Sequence, residues 1–496
     1  MSVVQNLKRT EIVLGLVGAA GTDFRTVIDK LEAELKDIGY EIEYAKLSRL
    51  IEEYTAELKR NGTPISVNLD NFEDEGDRIL KLMFAGNKLC ERYKKEETIA
   101  ILAIDTIQKR RSFRKPEEKN VAYILKSLKR PEEVHALRQV YGSGFFLIGV
   151  YSSYKNRKES LASEIAHSKG TISIEQCYPK AEELILKDQE DLDKYGQEVC
   201  NTFHLADVFI SIEDQSKIEN KIKRFVQLVF SYPFHTPTKA EHAMFFAQAA
   251  ALRSGDLARQ VGAVITTATG EILSVGTNDA PCFDGGLYWS DSENDQRDIK
   301  LGEDSNTAHI NLIAQGLAQF LNITPVAEKE KIVKKIKDET YLKRLTEFGR
   351  SVHAEMDAIT QAARLGVSIK GGTLYTTLFP CHNCTKHIVA VGIKKVIYIE
   401  PYAKSLAKIL HKDSIAIEDE AQNKVSFLPF EGVGPRRFLD LFSIITSVGF
   451  EIQRKDKHSG KIKDWMAKYA RPRLPLSTVS YLVEEKVRIE QIKQSE

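Results

Sequence analysis

Apolar runs alternate with amphipathic stretches through the first half of the chain. Glu11 to Val17 is an almost unbroken apolar run that predicts a buried strand, and Gly18-Ala19-Ala20-Gly21 predicts a turn after it. Phe24, Val27, Ile28, Leu31 and Leu35 then fall at helical spacing. Three more runs predict strands: Ile99 to Ile104, ending on Asp105; Phe145 to Val150; and Val208 to Ile210, preceded by Asp207. Helical segments between them give the pattern of a parallel sheet with crossover helices.

The pattern changes after Ser231 to Pro237, where two prolines break the preceding helix. Thr238 stands three residues before Glu241, the spacing of a capping box, and Ala243 to Ala251 continues as an apolar helix. Val261 to Ile265 and Ile272 to Val275 flank Thr-Ala-Thr-Gly and predict a hairpin. Residues 279–351 read as a long insertion, polar and glycine-containing first, then helical. Beyond it the spacing predicts a helix from Val352, a strand over Thr373–Leu378, a helix from Cys381 and a strand over Lys395–Ile399. These elements divide the chain into a parallel-sheet domain over 1–232, a second α/β domain over 238–455 and a charged tail over 456–496. The tail has little apolar periodicity and reads as disordered or as an arm draped over another subunit.

Composition narrows the class. A chain of 496 residues is too long for one core. Lys and Arg number 71 against 70 Asp and Glu, so there is no basic excess of the kind that holds a long nucleic acid. Lys8 and Arg9 before the apolar run faintly imitate a signal peptide, but Glu11 opens that run and it is too short to span a membrane. The six cysteines include one closely spaced pair, which points to a reducing, cytoplasmic setting and a metal site rather than a disulfide framework.

That pair carries the chemistry. Cys381 and Cys384 are three residues apart, on one face of a helix start after Pro380. The free N–H groups and dipole of a first turn favour thiolates there. Zn²⁺ takes such thiolates, and His353 supplies a third ligand; with no fourth Cys or His at finger spacing, the site is left open, as catalytic zinc sites are. Glu355, two residues beyond His353, is placed to move protons at the open position. Zinc lowers the pKa of bound water toward roughly 7, which makes a hydrolytic attack on an amidine-type carbon feasible at neutral pH. H-x-E with P-C-x-x-C downstream is the zinc deaminase signature. His382 and His387 read as polar residues of the same helix, and Cys282 with His309 as a weaker second metal pair.

The surroundings resemble a family. Gly262-Ala263-Val264-Ile265, Gly276 to Pro281, His353-Ala354-Glu355 and Pro380 to Cys384 resemble the cytidine and deoxycytidylate deaminase superfamily. Leu128 to Val134, Leu205 to Phe209, Arg253-Ser254, Arg259 to Gly262 and Gly285 to Trp289 further resemble the bacterial anti-phage dCTP deaminases, over nearly all of the chain but its last forty or so residues. That resemblance implies a P-loop kinase-like domain followed by an α/β/α sandwich with a mixed sheet. It implies deamination of dCTP, dCMP or both, in defence against phage. It implies zinc on His353, Cys381 and Cys384, with Glu355 as the proton shuttle and Asn278 on the sugar hydroxyl. Arg259 reads either as a phosphate contact or as a surface salt bridge. A homo-oligomer follows from the same resemblance.

Gly15, Gly18, Gly21 and Thr22 stand in a strand–turn–helix context where backbone N–H groups cradle phosphate. The full P-loop motif is not met, since Gly21 occupies the lysine position. The expectation is therefore a nucleotide, with Mg²⁺ on Asp105, bound without phosphoryl transfer and regulating the deaminase; Asp105 could equally cap a helix, and a ligand-free glycine turn is the alternative. A regulatory RNA is a further partner class. For the whole chain, a deaminase of a base within RNA or DNA and a nucleotide-binding regulator with a vestigial site stand beside the free-nucleotide enzyme.

Overall fold

β1 (Glu11–Val17) is buried at every position, as a central strand covered on both faces must be. It sits in the computed structural model of the chain, which describes residues 10–493 except 64, 115–119, 171–172, 190, 192, 194, 322–325, 402–404, 447–450, 468–469 and 475–479. The chain forms two units, one from 1–237 with 431–496 and the other from 238–430.

In the first unit β1 pairs in parallel with β3 (Asn120–Lys126) and β4 (Phe145–Tyr151). β2 (Tyr40–Lys46) lies outside β3 and β5 (Val208–Ser211) outside β4, both also parallel. A two-residue strand, Gly432–Val433, closes the β5 edge antiparallel. Ile12, Leu14 and Leu16 pack with the helices Arg25–Asp37 and Gln215–Val229 on one face.

The run Ile99 to Ile104, expected as a strand, lies in the helix Thr98–Ser112. Every residue from Thr98 to Ile104 is buried, so the sequence shows no polar face and mimics a buried strand. Asp105 is consequently mid-helix, paired with Lys109 at 2.6 Å, and does not end a strand as a Mg²⁺ ligand would.

The domain limit expected at 455 and the tail expected over 456–496 differ from what is found: the chain returns to the first unit at 431. Buried side chains hold it there. Arg437 donates to Asp207 Oδ1 at 3.2 Å and to the Phe145 carbonyl at 2.6 Å. The helix Ser480–Lys493 brings Glu485 to Arg111 at 2.6 Å, and Arg111 also meets Glu11 at 2.9 Å. Few apolar positions are needed for such anchoring, which is why the segment reads as a tail.

The second unit opens on the helix Lys239–Ala251, capped by Thr238, whose Oγ1 accepts from the Glu241 N–H while Glu241 accepts from the Thr238 N–H. β6 (Gly262–Thr266) and β7 (Ile272–Thr277) form the hairpin. β8 (Thr373–Leu378) runs antiparallel to β6, and β9 (Lys395–Glu400), β10 (Ile415–Ile417) and β11 (Val425–Pro429) extend the sheet in parallel, in the order β10-β11-β9-β8-β6-β7. Ala263 and Ile265 pack toward the helices Ala354–Leu365 and His382–Ala390. Gly262, on the other face, meets Ala247 of Lys239–Ala251. This is an α/β/α sandwich on a mixed sheet.

Candidate metal centre and active site

Two helix starts meet. His353 is the N-cap residue of Ala354–Leu365 and Cys381 that of His382–Ala390. Gly276 on β7 lets the first of these helices lie against the sheet: a Cβ there would overlap the Ala354 carbonyl and the Ala358 nitrogen. Cys381 Sγ accepts the Cys384 N–H at 3.4 Å, so the free amide of the first turn already faces sulfur.

His353 Nδ1 lies 3.4 Å from Cys381 Sγ and 3.3 Å from Cys384 Sγ. Tetrahedral zinc at ordinary bond lengths would hold a nitrogen and a sulfur about 3.5 Å apart, so this donor set fits the ion. Among the described residues these three form the one cluster suited to a metal. Glu355 is buried beside it, with Oε2 accepting from Cys384 Sγ at 3.4 Å.

In the protein's own field the protons are shared unequally. The hydrogen bond from Cys384, helped by His353, pulls the Cys381 thiol down to about 4. The hydrogen bond to Cys381 holds the His353 imidazole up at about 9. The Cys384 thiol is pushed well above its usual value, first by its hydrogen bond to Cys381. Burial raises the Glu355 carboxyl to about 7, and the charge of Cys381 adds to it.

His353, Glu355 and Cys381 border a cavity of about 210 Å³. Asn278 and Arg259 line it too. The Asn278 carboxamide accepts from the Val261 N–H at 2.7 Å and donates to the Arg259 carbonyl at 2.8 Å. It thus fastens the loop before β6 and keeps one hydrogen-bonding position on each atom. Arg259 pairs with Glu400 at 2.7 Å across a half-exposed rim. The cavity also contains residues that the sequence reading passed over: Asp256, Thr346, Leu378 and Phe379. Thr346 comes from the far end of the insertion, and no local motif marks it. His382 and His387 are not in the cluster; His382 Nε2 lies 4.0 Å from Glu347. His309 stacks on Phe348, and no metal group forms with Cys282 among the described residues.

Residues 237–400 match the family model of the cytidine and deoxycytidylate deaminase zinc-binding region. The chain is similar to deoxycytidylate deaminase of Enterobacteria phage T2, 54% identical over 54 residues, which is 11% of this chain and 29% of that protein. It is also similar to a probable deoxycytidylate deaminase of Drosophila melanogaster, 31% identical over 151 residues, 30% of this chain and 53% of that one. The chain therefore spans about half or less of these curated relatives. A solved dCMP deaminase from cyanophage S-TIM5 aligns over 40% of this chain and 100% of its own, at 19% identity and a TM-score of 0.23.

The glycine turn belongs to the first unit. Gly15 lies inside β1, where a Cβ would stand 2.7 Å from Leu128 Cδ1, so its role is close packing. Gly18 and Gly21 shape the turn, and Gly21 has φ +84 against the Arg157 backbone. Thr22 Oγ1 is buried without a hydrogen-bond partner. The Ala20 N–H, which would cradle phosphate, donates to Asp188 Oδ2 at 2.6 Å.

Proposed function

We propose that this chain is a zinc-dependent hydrolase that replaces the 4-amino group of a deoxycytidine nucleotide, dCMP or dCTP, with oxygen and releases ammonia. The observation that carries this reading is the convergence of His353 Nδ1, Cys381 Sγ and Cys384 Sγ beside the buried Glu355 carboxyl at one cavity wall. A zinc ion held by those three donors supplies Lewis acidity and makes water a competent nucleophile at neutral pH. Glu355 would take one proton from the attacking water and deliver it to the ring nitrogen next to C4, then take the second from the new C4 hydroxyl and pass it to the amine, which leaves as ammonia as the C4 carbonyl forms. Asn278 offers its remaining hydrogen-bonding positions to the sugar, and the family match over 237–400 supports the cytosine ring as target.

Deamination of this kind draws down dCTP, which we assign to defence against phage; the motifs from Leu128 to Trp289 that resemble anti-phage dCTP deaminases support that role. Copies of the chain associate in this reading, and the exposed Leu312 and Phe320 on the insertion helix Ser305–Phe320 support it. No described helix is long and apolar enough to cross a membrane.

The test is ammonia release from dCMP, dCTP, CTP and an oligonucleotide, with zinc quantified in the same samples. Glu355→Ala should lower turnover by roughly 10²-fold or more while zinc stays near one equivalent. Turnover on the oligonucleotide alone, or full activity in the variant, would refute the proposal. Phage plaque counts in cells carrying the Glu355→Ala chain should rise to those of cells without it.

A further inference from the structure

A cavity of about 630 Å³ opens in the first unit, where β1, β2 and β3 end. The carboxyl edge of a parallel sheet is where α/β folds hold small ligands. Lys46 closes β2 and Lys126 closes β3, and they are register partners, so their Cα atoms lie about 5 Å apart. Both line the cavity. Like charges side by side on a sheet oppose each other. Burial, reinforced by Lys46, accordingly holds Lys126 below the usual lysine pKa.

The acids nearby offset this only in part: Asp23 and Glu164 act to raise Lys126, yet it stays below its ordinary value. Asp23 is bound to Arg25, Glu75 to Arg78 and Glu133 to Arg130. Glu164 also faces the cavity, and burial, with Glu75 adding, raises its pKa.

Two further observations restrict what would fit. Gln197 lines the cavity at 8% exposure, and its Oε1 has no hydrogen-bond partner. A buried acceptor of this kind asks for a donor. The glycine turn, by contrast, already holds an anion: Asp188, fully buried, accepts from Ala20 and pairs with Lys129 at 2.7 Å. A chain of phosphates would need the position that this carboxylate fills.

We propose that the cavity binds a small phosphomonoester, with its single phosphate between Lys46 and Lys126 and a donor of its body on Gln197 Oε1. Ile51, Leu82 and Met83 give that body an apolar wall. The site is independent of the deaminase reading, since all its residues lie in the first unit.

Calorimetry on the full chain with AMP, dTMP, ribose 5-phosphate, inorganic phosphate and ATP tests this, together with acetylation of lysines read by mass spectrometry. At least one phosphomonoester should bind at one equivalent, more tightly than phosphate or ATP, and shield Lys46 and Lys126 from acetylation. The Lys46→Ala/Lys126→Ala pair should weaken that binding roughly tenfold or more while the ligand-free protein stays folded, the repulsion removed offsetting the lost contact of Lys126 with the Phe24 ring. Lys126→Gln serves as a second variant if the pair misfolds. Absence of phosphomonoester binding below about 1 mM, binding that leaves both lysines unshielded, or ATP binding at least as tight as the best phosphomonoester would each overturn the proposal.

Discussion

Cys381 carries the cluster's negative charge while His353 and Cys384 keep their protons at neutral pH. Zinc requires both of those to be given up, so its uptake near pH 7 should release about two protons and its affinity should rise about 100-fold per pH unit. That slope should ease once pH passes the His353 value of about 9. Competition titrations against a chelator at several pH values, with proton release followed in weak buffer, measure both. Asn278 and Arg259 separate by a different criterion. Asn278→Ala strands the Val261 N–H and the Arg259 carbonyl and should cost about 1–3 kcal/mol, whereas Arg259→Ala removes a half-exposed ion pair and should cost under about 1 kcal/mol; urea unfolding of both variants distinguishes them. The four chemical residues were legible because spacings of two and three residues are local statements about helix starts. Asp256, Thr346 and Phe379 were not, because only the folded sheet and the returning insertion bring them to the same wall.

The helix Ala354–Leu365 carries His353 and Glu355 at its start and rests on β7 at Gly276. A methyl group there cannot be absorbed by a flexible side chain, since the opposing atoms are backbone. Gly276→Ala should therefore push the helix start outward, lose at least half the bound zinc and cost about 1–3 kcal/mol or more; zinc content after gel filtration and a melting curve check it. Gly262 makes the equivalent approach against Ala247, so two glycines of the recognisable motifs are packing glycines. Elements with a local signature were readable: β8, the capping box at Thr238, and the β6–β7 hairpin. Thr98–Ser112 was not, because a helix buried from Thr98 to Ile104 has no polar face to set its period. β2 has the opposite difficulty. Only Tyr40 and Ala45 are fully buried in it, so it lacks the apolar run that marks β1.

At the scale of the molecule, the C-terminal segment decides whether the first unit is complete. Arg111 is shared by Glu11 and by Glu485 of the helix Ser480–Lys493, with Tyr481 and Tyr141 donating to the two carboxylates. Arg111→Ala leaves two buried carboxylates without a cation and should destabilise the first unit by about 3–5 kcal/mol. Trp465, whose Nε1 donates to the Phe230 carbonyl within that unit, reports its unfolding in a Trp289→Phe background. Removing 431–496 should be worse, since Gly432–Val433 and the Arg437 contacts to Asp207 and Phe145 go with it. The chain leaves the first unit at 237 and returns at 431, and this fixes an order of events on the ribosome. At ordinary elongation rates tens of seconds separate the last of the five parallel strands from the residues that seal them. In the last part of that interval, once Cys384 has been made, the whole metal-ligand segment of the second unit is synthesised while the first unit's sheet still has an open edge at β5, so a nascent or prematurely released chain would hold the His353–Cys381–Cys384 cluster before the first unit is finished.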